Sequence, residues 1–182
     1  MSNLAAHNPT KKKMEHKEGL HALFDFATEG ILITNEKGEI VNMNPSAEKL
    51  FGYEKGELVG RKIEMLIPQR FAKAHTSHRE KFNHNPHARS MGAGIELFGK
   101  RKDNSEFPVE ISLSPYSASE GKFVIAFIID ATARKKAEDQ LKSYSRELEK
   151  DVNNRTMILR EAISELEKTK EELGKSLQKE RG

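Results

Sequence analysis

Residues 30–52 read GILITNEKGEIVNMNPSAEKLFG, and this run decides the fold. Ile31 to Thr34 and Glu39 to Met43 are two short strand-like segments. Between them, Asn35-Glu36-Lys37-Gly38 has turn chemistry, with Gly38 suited to a positive φ, so the two segments form a hairpin. Asn44-Pro45 follows directly. Asparagine is a good helix N-cap and proline fits the first helical position, so a short helix runs through Ala47, Leu50 and Phe51 until Gly52 stops it.

Upstream, Leu20, Leu23, Phe24 and Ala27 recur at i, i+3, i+4 and i+7, the stripe of a short amphipathic helix assigned to 15–29. Residues 1–14 carry no periodicity and read as a flexible leader. Downstream, a small turn from Lys55 to Val59 closes at Gly60, and Pro68 opens a longer helix that must end by Asn85-Pro86. Phe71, His75, His78 and Phe82 share one face of that helix, so two histidines lie on an apolar stripe expected to face the interior. Three strands then follow. Met91, Ala93, Ile95 and Leu97 alternate with Gly92, Gly94, Glu96 and Phe98. Phe107, Val109, Ile111 and Leu113 alternate with Glu106, Pro108, Glu110 and Ser112, and Pro108 suggests an edge or a non-bonding position. Phe123 to Ile129 is apolar on both faces and needs cover on both, from the core on one side and from a helix or a second subunit on the other. The order implies an α+β domain over 30–130, with one five-stranded antiparallel sheet and helices across one face.

Composition narrows the chemistry. The 182 residues hold no cysteine, which excludes disulfides, thiolate metal sites and cysteine nucleophiles. No apolar run approaches the roughly 20 residues that span a bilayer, and the N-terminus lacks the apolar core of a signal peptide, so a cytoplasmic protein without a membrane partner is expected. Net charge is +3, and the one tight basic run, Lys11 to Lys13, reads as a solvated leader with no nucleic-acid motif beside it. No nucleophile, base and orienter fall together, Glu96 and Glu110 are placed on the outer face of the sheet, and no catalytic centre or metal site is assigned.

Three stretches carry a family resemblance. FATEGILITNEKGEIVNMNPSAEKLFGYEKGELVGRKIEMLIP (26–68), GKRKDNSEFPVEISLSP (99–115) and FIIDATARKKAEDQL (127–141) resemble PAS domains, in order and with the family's spacing, over about residues 20–140. The resemblance implies a sheet cupping a small cavity and a signal leaving through the sheet into a following helix. The family's Asp-x-Thr exit triad is matched by Asp130, Ala131 and Thr132, which makes Asp130 and Thr132 the signalling residues. The pocket candidates are Phe71, His75, His78 and Phe82, with Ile95 and Leu97 from the next strand. With no cysteine, a cysteine-linked flavin or cinnamoyl chromophore is ruled out.

His75 falls seven residues after Pro68, a position resembling the proximal haem histidine of oxygen-sensing PAS kinases. A neutral imidazole on an inward stripe can ligate haem iron. Those sensors also use an arginine on the following strand, where this chain has Ile95. The other reading is that His75 and His78 are hydrogen-bonded at the sheet edge. Gly92 and Gly94 divide similarly between close ligand approach and sheet twist.

From 131 to 182 the chain reads as one signalling helix. Leu141, Tyr144, Leu148, Val152, Arg155, Leu159, Ile163, Leu166, Lys170, Leu173 and Leu177 are spaced 3, 4, 4, 3, 4, 4, then 3, 4, 3, 4, two eleven-residue repeats followed by a heptad stretch. A helix this polar is marginal alone and needs a partner, most simply a second copy in parallel. LEKDVNNRTMILREAISELEKTKEEL (148–173) also resembles the linkers ahead of the catalytic parts of sensor histidine kinases. The chain is therefore expected to be a sensory input module for a downstream kinase or other effector. The alternatives are a haem-binding gas sensor and a ligand-free dimerisation module.

Overall fold

The computed structural model describes residues 18–91 and 96–180, with side chains as far as residue 176. The leader at 1–14, the start of the expected first helix, and Gly92, Gly94 and Ile95 lie outside the described residues. The chain divides between Ala133 and Arg134 into two units, each considered by itself.

In the first unit, helix α1 (18–25) precedes strand β1 (Gly30–Asn35), which pairs with β2 (Ile40–Met43) in the expected hairpin. Gly38 takes φ 73° in the turn, and Asn35 Oδ1 accepts from the N–H groups of Lys37 and Glu39 at 3.0 Å each. Helix α2 (Pro45–Phe51) then begins at the N-cap Asn44, and Gly52 closes it in the left-handed conformation at φ 76°. A 3-10 helix (Ile63–Leu66) leads into α3 (Gln69–His84). Strands β3 (Arg89–Met91), β4 (Leu97–Lys100), β5 (Glu106–Ala118) and β6 (Gly121–Asp130) complete one antiparallel sheet of order β2-β1-β6-β5, with β3 and β4 both on the far side of β5.

The alternation of apolar residues sorts the two sheet faces. Leu32, Phe107, Val109 and Ile128 point to the inner face, where they bury against Ala47 and Phe51 of α2, Leu58 and Leu66. Phe51 and Phe107 meet edge to face with ring centroids 5.5 Å apart, and they press on the backbone of Gly99. A Cβ at Gly99 would stand 2.9 Å from Phe107 and 3.1 Å from Phe51, so the close approach requires glycine. Asn44 ties three elements together although it is fully buried. Its Oδ1 accepts from Ile31 N–H at 2.8 Å and Ala47 N–H at 2.9 Å, while Nδ2 donates to the carbonyls of Glu29 at 2.9 Å and Phe24 at 3.1 Å.

Met91 pairs with Ile111 and Leu97 with Val109, so the register against β5 shifts by four residues between β3 and β4, and the alternation expected through Ala93 and Ile95 lies outside the described residues. Pro108 lies in β5 one residue beyond the end of its ladder with β6, where no N–H is needed, and its carbonyl accepts from Ala131 N–H at 3.0 Å. Cover for the outer face of β6 comes from α1, whose Leu20, Leu23 and Phe24 line a groove with Ile31, Ile33, Ile125 and Phe127. That cover is thin, because Leu20 and Leu23 remain 63% and 72% exposed.

The second unit continues one helix, α4 (Thr132–Glu180). The i,i+4 pairs Asp151–Arg155 and Glu171–Lys175 form at 3.0 and 2.8 Å, and Glu138 bonds Arg134. Leu141, Tyr144, Leu148, Val152, Leu159, Ile163, Leu166 and Leu173 are all exposed on this helix, and the side chain of Leu177 lies outside the described residues.

Candidate functional site

Strand β6 ends at Asp130, whose carboxylate serves two structures at once. Oδ1 accepts from Thr132 N–H at 2.8 Å, satisfying a donor at the start of α4 that would otherwise have no partner in the helix. Oδ2 receives Arg101 at 3.1 Å. The same guanidinium donates through Nε to the carbonyl of Leu50 at 3.0 Å and lies 3.7 Å from the centroid of Phe107. Arg101 thus joins the end of α2, the aromatic pair of the core and the exit of the sheet. Sequence reading singled out Asp130 and Thr132 as signalling residues. In the structure the capping oxygen is Asp130's, and Thr132 contributes its backbone N–H. Arg101 was missed because its partners lie 51, 6 and 29 residues away, beyond any local pattern.

A second cluster joins the 3-10 helix to α3. Glu64 Oε1 receives Arg79 Nε at 3.1 Å, His75 Nδ1 at 3.2 Å and Thr76 Oγ1 at 3.4 Å. The Glu64 and Arg79 side chains are only 16% and 17% exposed, so this ion pair is sheltered. Burial alone would raise the Glu64 carboxyl; its own N–H, His75 and Arg79 outweigh that and hold it below its ordinary 4.5. Burial pulls the His75 imidazole below 6.5 despite the opposing pull of the Glu64 carboxylate. His75 is therefore neutral near pH 7, and its contact with Glu64 is a hydrogen bond from Nδ1–H, with Nε2 keeping the lone pair.

That tautomer is the one by which ligating histidines are oriented. Neither of the two cavities described is lined by His75, and Glu64, Arg79 and Thr76 stand at its Nδ1 edge.

The α3 stripe also faces inward less than expected. Phe71 is 40% exposed with Arg70 over its ring, and His78 is exposed; Phe82 is buried, and Leu97 packs half-buried against the core. A space of about 310 Å³ opens between Asn83 of α3, Pro86 beyond that helix, Glu36 of the first turn, and Pro115, Tyr116, Phe123 and Val124 of the β5–β6 hairpin. Four separate segments build it, so no single stretch of sequence announces it.

Comparison with known proteins follows the fold. The family model of the PAS domain matches residues 28–133. The chain is 33% identical over 111 residues to the oxygen sensor protein DosP of Escherichia coli, covering 61% of this chain and 14% of DosP. It is 28% identical over 156 residues to the cell-division control histidine kinase PdhS of Brucella abortus, covering 85% of this chain and 15% of PdhS. It therefore spans about a seventh of the curated relatives it matches. Among solved structures, the PAS domain of an HTR-like protein from Haloarcula marismortui superposes with a TM-score of 0.57 at 23% identity, over 66% of this chain and 96% of that one.

Proposed function

Because the chain belongs to the PAS domain family, we propose that it is a sensory, signal-transducing module, the input portion of a sensor histidine kinase, with a parallel dimeric coiled coil as its output. The observation that carries this reading is the Asp130 carboxylate, bonded on one oxygen to Arg101 and on the other to the first N–H of α4. A shift of β6 against α2 changes the first bond and, through the same rigid carboxylate, the second. We divide the chain accordingly into a leader at 1–14, a helix at 15–29, the PAS domain at 30–130 and the signalling helix at 131–182.

Support for the dimer is the row of large apolar side chains along α4, each more than half exposed in the single chain. Similarity to a histidine kinase supports a kinase as the effector, and kinase output would place the module in the cytoplasm, where nucleotide is available. No helix among the described residues is long and apolar enough to cross a membrane. We assign no catalytic step and no nucleic-acid partner to this chain. A haem-based gas sensor using His75 ranks below this reading: the neutral ring and the likeness to an oxygen sensor favour it, and the position of both described cavities away from His75 counts against it. A ligand-free dimerisation module is favoured by one feature, the apolar groove of about 430 Å³ between α1 and the outer sheet face.

Sedimentation velocity at micromolar concentration tests the proposal. The chain should sediment as a dimer, and Leu159→Glu with Leu166→Glu should make it monomeric while leaving the PAS domain folded. A monomeric unsubstituted chain would overturn the output half of the reading.

A further inference from the structure

The cavity at the β5–β6 hairpin has a charged rim over an apolar floor. By the alternation that puts Val109 and Ile128 on the inner face, the cross-strand pairs Pro115–Val124 and Ser117–Lys122 share that face. All four residues line the cavity, and the polar pair lies two residues, about 7 Å, nearer the hairpin turn than the apolar pair. Glu36 completes the rim, since it follows Asn35, the β1 partner of Phe123, and so comes beside Lys122.

The two rim charges are opposite and loosely joined. Lys122 Nζ stands 3.7 Å from Glu36 Oε1, beyond hydrogen-bond reach, and both side chains are more than half exposed. An exposed pair of this kind is weak, so a ligand bringing one charge of each sign loses little by parting them and gains a charge-assisted hydrogen bond at each. A simple cation would leave Lys122 unanswered, and a simple anion would leave Glu36 unanswered. The acidic end is also fixed in advance. The Glu36 carbonyl accepts from Asn83 Nδ2 at 2.9 Å and from Arg79 Nη1 at 3.3 Å, which pins the turn to α3 before anything binds. Asn83 keeps its amide oxygen as an acceptor at that end of the rim, and Ser117 adds a hydroxyl donor beside Lys122. At about 310 Å³ the cavity lies at the small end of ligand pockets, which run from about 300 to 1,000 Å³.

We propose that this cavity binds an apolar α-amino acid in its zwitterionic form. The ammonium group donates to Glu36 and Asn83, the carboxylate accepts from Lys122 and Ser117, and the side chain lies against Pro115 and Val124. The two charges of an α-amino acid sit on adjacent carbons, which matches a rim whose opposite charges are close neighbours. This inference rests on the sensory reading and specifies the ligand class that the PAS domain takes.

NMR titration of the full chain with L-leucine and with L-phenylalanine, each at millimolar concentration, tests the site. At least one of them should shift the backbone amides of Asn83, Ser117 and Val124. Its N-acetyl derivative, which lacks the ammonium, and its amide, which lacks the carboxylate, should each bind about tenfold or more weakly, because one charge-assisted bond is lost. Glu36→Gln should erase the penalty on the N-acetyl derivative alone, and Lys122→Gln the penalty on the amide alone. Both side chains are largely exposed, so neither substitution endangers the fold. No shift at these residues from either amino acid overturns the proposal. Derivatives that bind as tightly as the parent, or penalties that persist in both variants, overturn it too. Sedimentation of the same samples separates the two readings: a dimer that ignores both amino acids loses this site and keeps the sensory module.

Discussion

Replacing Asn44 with alanine removes four hydrogen bonds from the most buried polar side chain of the domain. The magnitude follows from what each partner does next. Loss of the N-cap bond to Ala47 costs about 1 kcal/mol. Stranding the Ile31 N–H, which donates to this side chain, adds about 1–3 kcal/mol. The carbonyl of Glu29 sits on an exposed residue where water can serve it, and Phe24 is only partly buried, so these two contribute little. The total is about 2–4 kcal/mol, a large share of the roughly 5–15 kcal/mol by which domains of this kind are stable. Urea unfolding read by pulsed hydrogen exchange on β1 and β6 peptides isolates the sheet from the signal of α4. Asn44→Ser, which retains a short capping oxygen, should recover about 1 kcal/mol of the loss. A loss below about 1 kcal/mol for Asn44→Ala, or a serine variant no better than alanine, would refute the assignment of Asn44 as the joint of α1, β1 and α2.

Three further outcomes are expected. Asp130→Ala should speed hydrogen exchange in the first turn of α4 and cost about 1 kcal/mol, whereas Thr132→Ala should do neither, because Asp130 supplies the capping oxygen. Stability should fall as pH drops below 6.5: there the unfolded His75 takes up a proton that the folded ring, with its lowered pKa, does not. His75→Asn should flatten this part of the pH profile of urea midpoints. The contribution of Glu64, whose folded pKa is also lowered, should persist above 4.5 and disappear at more acid pH. Added haemin should give no Soret band that depends on His75, checked by absorbance titration of the chain and of His75→Ala; a His75-dependent band would restore the haem reading.

Local chemistry made much of the domain readable. Asn35 to Gly38 and Asn44-Pro45 act over a few residues, so turn, cap and helix start could be placed from their order alone. Alternation along β1 and β5 likewise gave the inner and outer faces. What failed was information held by neighbours distant in sequence. Helical spacing puts Phe71, His75, His78 and Phe82 on one side of α3 but does not say that Glu64 meets the middle of that side or that Phe71 lies open to solvent. The break between β3 and β4 comes from their register against β5, which strand alternation cannot reveal. Arg101 and Arg89 read as ordinary polar residues until the sheet sets one against Asp130 and the other over Phe82.

Gly99 constrains how this sequence can drift. The rings of Phe51 and Phe107 occupy the space a side chain would need there, so three positions from α2, β4 and β5 share one fixed volume. Enlarging residue 99 becomes tolerable only in a background where residue 51 or 107 has already shrunk, and shrinking either ring first leaves a hole that only residue 99 is placed to refill. Such substitutions should appear in pairs and in a fixed order. A library randomised at 51, 99 and 107 together should return folded members of nearly constant summed side-chain volume.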